Sequence, residues 1–254
     1  MPLAKALRRQ DDPMQRARLV NADTVGWLVQ SLRDHGARQI LELGCSEGNM
    51  TALLVEAGFT LTGCDPSDRA LARARARLPD TRFLRAKAEA LPADLPRFDA
   101  ACFINALHHV DPHAMGDALR GALAVLRPGG LLYVIEPLNS GSFFRAMRPI
   151  EDESPQRDAA MRAVEALISS RQAELRDLNR WSRESRFDDL QDFVEYLARI
   201  DPDRSAAAVA QAPALARAWR ENIMVRDGQA LLVQPLICWT LAPLAPLAHD
   251  GSQP

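Results

Sequence analysis

Between residues 39 and 137 the chain keeps changing its hydrophobic period. Apolar runs at 39–43, 60–64, 81–86, 98–105 and 130–135 alternate with stretches of helical spacing at 50–57, 69–78 and 113–126. Apolar runs this short fit strands buried on both faces, and the stretches between them are long enough to carry the chain back to the start of the next strand. Strands joined in this way are parallel, and their right-handed crossovers lay helices on both faces of one sheet. The segment therefore predicts an α/β, doubly wound sheet.

The flanks read differently. Met14, Ala17, Val20, Trp27, Leu28 and Leu32 recur at spacings near three and four, which predicts a helix over 14–34 ended by His35-Gly36. After Pro137, residues 140–220 show helical patterns and no convincing strand. The best of these patterns is Phe187, Leu190, Phe193, Val194 and Leu197, and an Ala-rich stretch covers 204–220. Residues 222–226, the turn pair Asp227-Gly228 and residues 229–241 read as a β-hairpin. Pro235 should push the centre of that hairpin to an edge position or a bulge. The expected organisation is an N-terminal helical segment (1–36), an α/β core (37–139), a helical insertion or cap (140–220), a terminal hairpin completing the sheet (221–243) and a tail (244–254).

Composition narrows the function classes. With 254 residues and a formal net charge of −2, the chain is large enough for one sizeable core plus an addition. Its basic residues are nearly all Arg, scattered among acids, which argues against nucleic acid as a partner. No apolar run reaches about 18 residues, so no membrane partner is expected. The charged N-terminus does not read as a signal peptide, and the expected compartment is the cytoplasm. Cys45, Cys64, Cys102 and Cys238 lie in apolar runs without a CxxC pair, so reduced core cysteines are expected, and no metal. A homodimer is left open.

The chemistry is carried by residues 40–51, Ile-Leu-Glu-Leu-Gly-Cys-Ser-Glu-Gly-Asn-Met-Thr, a strand entering a glycine turn and then a helix. Gly44 and Gly48 let the backbone approach a ligand closely, and the helix start offers N–H groups. A dinucleotide fingerprint would place glycines at positions 44, 46 and 49, where the chain has Gly44, Ser46 and Asn49. Asp65 follows the second strand and could accept both hydroxyls of a ribose, or it could cap the helix that Pro66 begins.

From about 38 to 136 the chain resembles the class I S-adenosylmethionine-dependent methyltransferases, of the small-molecule type similar to the ubiquinone-biosynthesis enzymes. The resemblance rests on ILELGCSEG (40–48), TGCDPS (62–67), AKAEALP (86–92), FDAACFINALHHVDP (98–112) and LRPGGLLYVIEP (126–137). It implies a mostly parallel, seven-stranded, Rossmann-like sheet, S-adenosylmethionine as cofactor and a small-molecule acceptor. By the same resemblance, Gly44, Cys45 and Gly48 would line the methionine part through backbone, and Glu42 would hold the turn and the amino group. Asp65 would bind the ribose, Pro66 would pack near the adenine, Ala88 and Glu89 would border the adenine edge, and Asn105 and Ala106 would sit beside the sulfonium. Two positions depart from the family pattern: Ser46 replaces a glycine, and Lys87 replaces an acid that accepts from the adenine amino group, which a lysine cannot do.

Methyl transfer needs positioning first and a base only for a weakly acidic acceptor. His108 and His109, after the fourth strand, and Glu136, ending the fifth, lie at the sheet edge where ligands collect and are the candidate catalytic residues. Each has a plainer reading: a packed His, a ring bonded to a loop carbonyl, a solvated carboxylate. Asn139, Ser140 and Ser142 could face substrate or form a turn, and Arg16 and Arg18 could hold an acceptor carboxylate or lie on the surface. Trp181, Phe187, Phe193 and Tyr196 read as core before pocket. The expected activity is methyl transfer to a small molecule, at oxygen in the first place, with nitrogen and carbon acceptors left open. Its rivals are a different use of the same cofactor that releases methylthioadenosine, a silent cofactor-binding protein and, more distantly, a dehydrogenase.

Overall fold

The structure is a computed structural model that describes residues 24–244. Helix α1 (Thr24–Asp34) precedes an alternating series: β1 (Gln39–Leu43), α2 (Asn49–Glu56), β2 (Thr60–Asp65), α3 (Asp68–Arg77), β3 (Arg82–Arg85), β4 (Phe98–Ile104), α4 (Met115–Ala124) and β5 (Leu126–Pro137). Helices α5 (Ser142–Met147) and α6 (Ser154–Ser169), strand β6 (Ala173–Phe187) and helices α7 (Leu190–Ile200), α8 (Asp203–Ala210) and α9 (Ala212–Asn222) follow. Strands β7 (Met224–Arg226) and β8 (Gln229–Pro243) close the series. The sheet order is β3-β2-β1-β4-β5-β8-β6, with β7 paired to β8. Strands β1 to β5 are mutually parallel, and β8 runs antiparallel between β5 and β6.

Alternation along the central strands builds two cores. Ala101, Phe103, Leu132 and Val134 face one side, with Leu119 of α4 and Val164 of α6. Ala100, Cys102, Ile104, Tyr133 and Ile135 face the other, with Leu28 and Leu32 of α1 and Leu54 of α2. Each large side chain buried there stabilises the fold by about 1.5–3 kcal/mol. At the amino edge the Asp99 carboxylate accepts from Arg38 N (2.9 Å) and Gln39 N (2.8 Å) and meets Arg127, tying the starts of β1, β4 and β5 together. Burial opposes the charge of Asp99, but these donors hold its carboxyl below the usual range.

The 140–220 segment differs from its expected all-helical character, because residues 173–187 form β6. That strand lies at a sheet edge and buries Ala173, Trp181 and Phe187 among many half-exposed polar residues, so it shows no apolar run. The closing hairpin also differs. Strand β8 finds its main partners in β5 and β6, while β7 pairs only with its first residues, Gln229 to Leu231. Pro235 sits inside β8 without a bulge, paired with Ser182 and just past the last β5 pair, Pro137 with Leu236. Its carbonyl accepts from Leu138 N at 2.9 Å, so its missing N–H falls where β5 has already ended.

Beyond that point a further core forms on the ribbon. Phe143 and Met147 of α5, Phe187, Phe193, Leu197, Leu215, Trp219 and Leu232 are buried together. Phe187 and Phe193, with Tyr196 packed against them, are therefore core residues. Trp181 stacks on Trp27 of α1 (4.9 Å) and donates from Nε1 to Thr24 Oγ1 (2.9 Å). The four cysteines are buried and free. Burial, then nearby carboxylates, raises the Cys45 thiol, burial pushes Cys64 up to about 12, and both read as inert packing. Arg16, Arg18 and most of the tail lie outside the described residues.

Candidate active site

The β1 to α2 turn is left-handed at three places: Gly44 (φ 74°), Ser46 (φ 48°) and Gly48 (φ 75°). A Cβ on Gly44 would lie 2.6 Å from the Ala106 Cβ, so the loop after β4 presses directly on the turn. Gly44 N and Cys45 N both donate to the Cys64 carbonyl, at 2.8 and 3.1 Å, which docks the turn on β2. Ser46 keeps the left-handed conformation that the missing glycine would adopt freely, and its N–H donates to Asp65 Oδ2 at 2.9 Å.

Asp65 does not cap the next helix. Ser67 does, accepting from Ala70 N at 3.2 Å, and Pro66 precedes that cap on the surface. The Asp65 Oδ1 accepts from Ser67 N at 2.9 Å, so each carboxylate oxygen uses one acceptor site and keeps another. Glu42 lies beneath the turn at 2% exposure and accepts from Thr51 Oγ1 at 2.5 Å. Burial pushes its carboxyl up to about 7, with the Asp65 charge adding and Thr51 opposing. Thr51 has no signature in the sequence beyond its helical position. Ala88 is buried and Glu89 half-buried, in a single helical turn, while Lys87 is exposed and faces Glu89 at 3.7 Å. Asn105 holds φ 52°, and its Oδ1 is buried without a hydrogen-bond partner.

Glu136 is not a solvated strand-end carboxylate. It is 1% exposed; Oε1 accepts from Ala106 N (3.0 Å) and Leu107 N (2.8 Å), and Oε2 meets His108 Nδ1. Its carboxylate fixes the loop after β4 and holds the His108 ring. His108 is 4% exposed, and the His109 ring packs on it at 4.0 Å between centroids. His109 keeps solvent access. The protein packed around its ring and then His108 push it down to about 4, so it is neutral near pH 7.

Behind this pair lies a network that sequence reading missed. Glu153 Oε2 accepts from Arg157 Nη2 (2.6 Å), its Oε1 accepts from Arg204 Nη2 (2.9 Å), and Arg204 Nε reaches Glu151 (2.6 Å). Burial pushes Glu153 up, but Arg157, His108 and Arg204 together hold it below the usual carboxylate range. The i,i+4 spacing of Glu153 and Arg157 was visible, but its burial was not. His108, His109 and Glu153 approach one another within 4.8 Å. Two guanidiniums already take the Glu153 oxygens, which favours an ion-pair network over a cation cage. Asn139 donates from Nδ2 to Ser154 O at 3.2 Å, and Ser142 Oγ accepts from Val233 N at 2.8 Å, so these two are turn and docking residues. Ser140 is exposed.

Residues 40–130 match the methyltransferase domain family. An uncharacterized methyltransferase of Synechocystis is 31% identical over 108 residues, covering 42% of this chain and 51% of its own length. The chain spans about half the length of the curated relatives it matches. The YcgJ protein of Bacillus subtilis superposes with a TM-score of 0.60 over 87% of this chain and 98% of its own, at 14% identity. A methyltransferase of Geobacter sulfurreducens solved with S-adenosyl-L-homocysteine gives 0.53 over 88% and 92%, at 15% identity. Both share the fold.

Proposed function

We propose that this chain is a class I S-adenosylmethionine-dependent methyltransferase, a reading supported by the match of residues 40–130 to the methyltransferase domain family, and that it transfers a methyl group to a small-molecule acceptor at oxygen. The observation that carries the cofactor reading is the Asp65 carboxylate, bonded through Ser46 N into a glycine turn that has no room for a side chain at Gly44. The residues fit the group. Asp65 retains acceptor sites for the two ribose hydroxyls, Glu42 lies under the turn to meet an amino group, and Gly44, Cys45 and Gly48 offer backbone to the methionine part. Pro66, Ala88 and Glu89 would flank the adenine, and Asn105, whose Oδ1 is buried without a partner, would face the reacting end with Ala106.

S-adenosylmethionine, when bound, supplies an electrophilic methyl on a sulfonium. The chain's part is to align an acceptor oxygen with it and to take the proton released as the new O–C bond forms. His108, held at Nδ1 by Glu136, is the base. The orienting carboxylate fixes its tautomer and stabilises the charge it gains. His109, neutral and solvent-accessible, packs over the His108 ring and flanks the acceptor from the solvent side. Glu136 is a positioning residue.

Calorimetry with S-adenosylmethionine and S-adenosylhomocysteine tests the cofactor reading. Both should bind, and Asp65→Ala should weaken binding at least tenfold. Absence of binding by both ends the enzyme reading, and an unaffected Asp65→Ala removes the ribose role. Turnover should release S-adenosylhomocysteine; methylthioadenosine in its place would exclude methyl transfer.

A further inference from the structure

On one face of the β6–β8 ribbon the paired rows are Trp181 with Leu236, Arg183 with Gln234, Ser185 with Leu232, and Phe187 with Ala230. The first row belongs to the core under α1, and Leu232, Phe187 and Ala230 belong to the core under α5, α7 and α9. Arg183 and Gln234 thus form a polar seam between two apolar cores. Gln234 is satisfied there: Nε2 donates to Leu138 O at 3.0 Å and Oε1 accepts from Arg157 Nη1 at 3.4 Å. Arg183 is not. Its Nε is buried with no hydrogen-bond partner, its guanidinium lies 5.8 Å from the Phe143 ring centroid, and the adjacent Glu184 turns to Arg226 at 3.5 Å.

Its Nε has lost water without gaining a partner while the rest of the half-buried guanidinium carries an unpaired charge, a position that favours an anion arriving from outside. The seam lies where such an anion could matter. The last β5 pair is Pro137 with Leu236, so Arg183 stands just past the carboxyl end of β5, where open α/β sheets bind their ligands. The loop following β5 crosses the ribbon there, with Ser142 Oγ accepting from Val233 N.

We propose that Arg183 binds a carboxylate of the acceptor, so that the substrate is a small hydroxy acid held at its carboxylate and methylated at its hydroxyl. This rests on the methyltransferase reading of the site. One planar guanidinium fork matches a carboxylate, and the nearby Arg157 is committed to Glu153, so the seam lacks the second cation a phosphate would call for.

The test is calorimetry on the full chain saturated with S-adenosylhomocysteine, using matched pairs: 4-hydroxybenzoate against 4-hydroxybenzamide, and glycolate against glycolamide. The acid of at least one pair should bind tenfold or more tighter than its amide. Arg183→Gln should abolish that preference without lowering thermal stability, and Arg183→Lys should retain part of it. Equal affinity in every pair, no binding by either member, or a preference that survives Arg183→Gln overturns the proposal. Failure of S-adenosylhomocysteine to bind appears before any acceptor probe is added and counts against the underlying reading instead.

Discussion

The buried carboxylate of Glu42 is the residue whose titration most directly couples fold to site. Its folded value of about 7 lies above the 4.5 of an ordinary glutamate, so the folded state holds a proton that the unfolded chain releases. Stability is therefore lost as pH rises from about 4.5 to 7, by about 3 kcal/mol, and changes no further once both states are ionised. His109 runs the other way: its value falls from 6.5 to about 4, so its contribution improves as pH rises through that window. Comparing wild type with Glu42→Gln isolates the carboxylate. Urea denaturation should show the variant gaining on wild type from pH 5 to 7 and holding a constant lead above that; a difference that does not vary with pH refutes the assignment. If Glu42 meets the cofactor's amino group, wild-type affinity for S-adenosylhomocysteine should rise over the same range and the variant's should not. At this scale the sequence singled out Glu42, Gly44 and Asp65 by type and spacing, and the structure gathers them at one turn. The sequence could not supply Thr51 as a partner or the reach of Ser46 to Asp65, because each contact joins two different elements that only the folded turn brings together.

Among the elements, the loop after β4 depends on the end of β5. Glu136 accepts two backbone N–H groups and holds His108, so it ties the end of β5 to the loop after β4 and to the ring proposed as the base. Glu136→Gln leaves one oxygen for three donors and turns an NH2 group toward one of them. A loss of about 2 kcal/mol, or several degrees in Tm, is expected. The kcat should fall while S-adenosylhomocysteine affinity holds; an unchanged Tm would mean that these bonds do not order the loop. The hydrophobic period located β1, β2, β4 and β5 closely because they are central strands lined by apolar residues, and found β3, at the other edge, from its short apolar run. It missed β6, where an edge strand buries one face and carries Arg and Glu on the rest. It expected Pro235 at an edge or a bulge, and the residue has no bulge but lies where β5 stops one residue short of it, so its tolerance depends on where a distant strand ends.

For the whole molecule, the question is whether the core under α5, α7 and α9 is a separate unit. It is not separate at its base. Strands β6 and β8 run unbroken from the central sheet into it, and the Glu153, Arg157 and Arg204 network ties α8 to α6. Phe193, fully buried, packs edge-on against Phe187 and lies 5.3 Å from Trp219. Phe193→Ala should cost about 3–5 kcal/mol. Unfolding followed by far-ultraviolet circular dichroism and by tryptophan fluorescence should stay a single coincident transition in both proteins. Two separated transitions would show that the distal core melts alone.

What the sequence determined by itself was local or periodic: the alternation that makes a parallel sheet, the glycine turn and the acid that ends the second strand. Those features follow from backbone sterics and from which face of an element is apolar, both of which are written in neighbouring residues. The tertiary structure alone decided that Glu136 is buried under three donors, that a polar strand closes the sheet, and that Arg183 lies unpaired between two cores. Burial and partnership depend on which distant segments pack together, and no spacing along the chain encodes them.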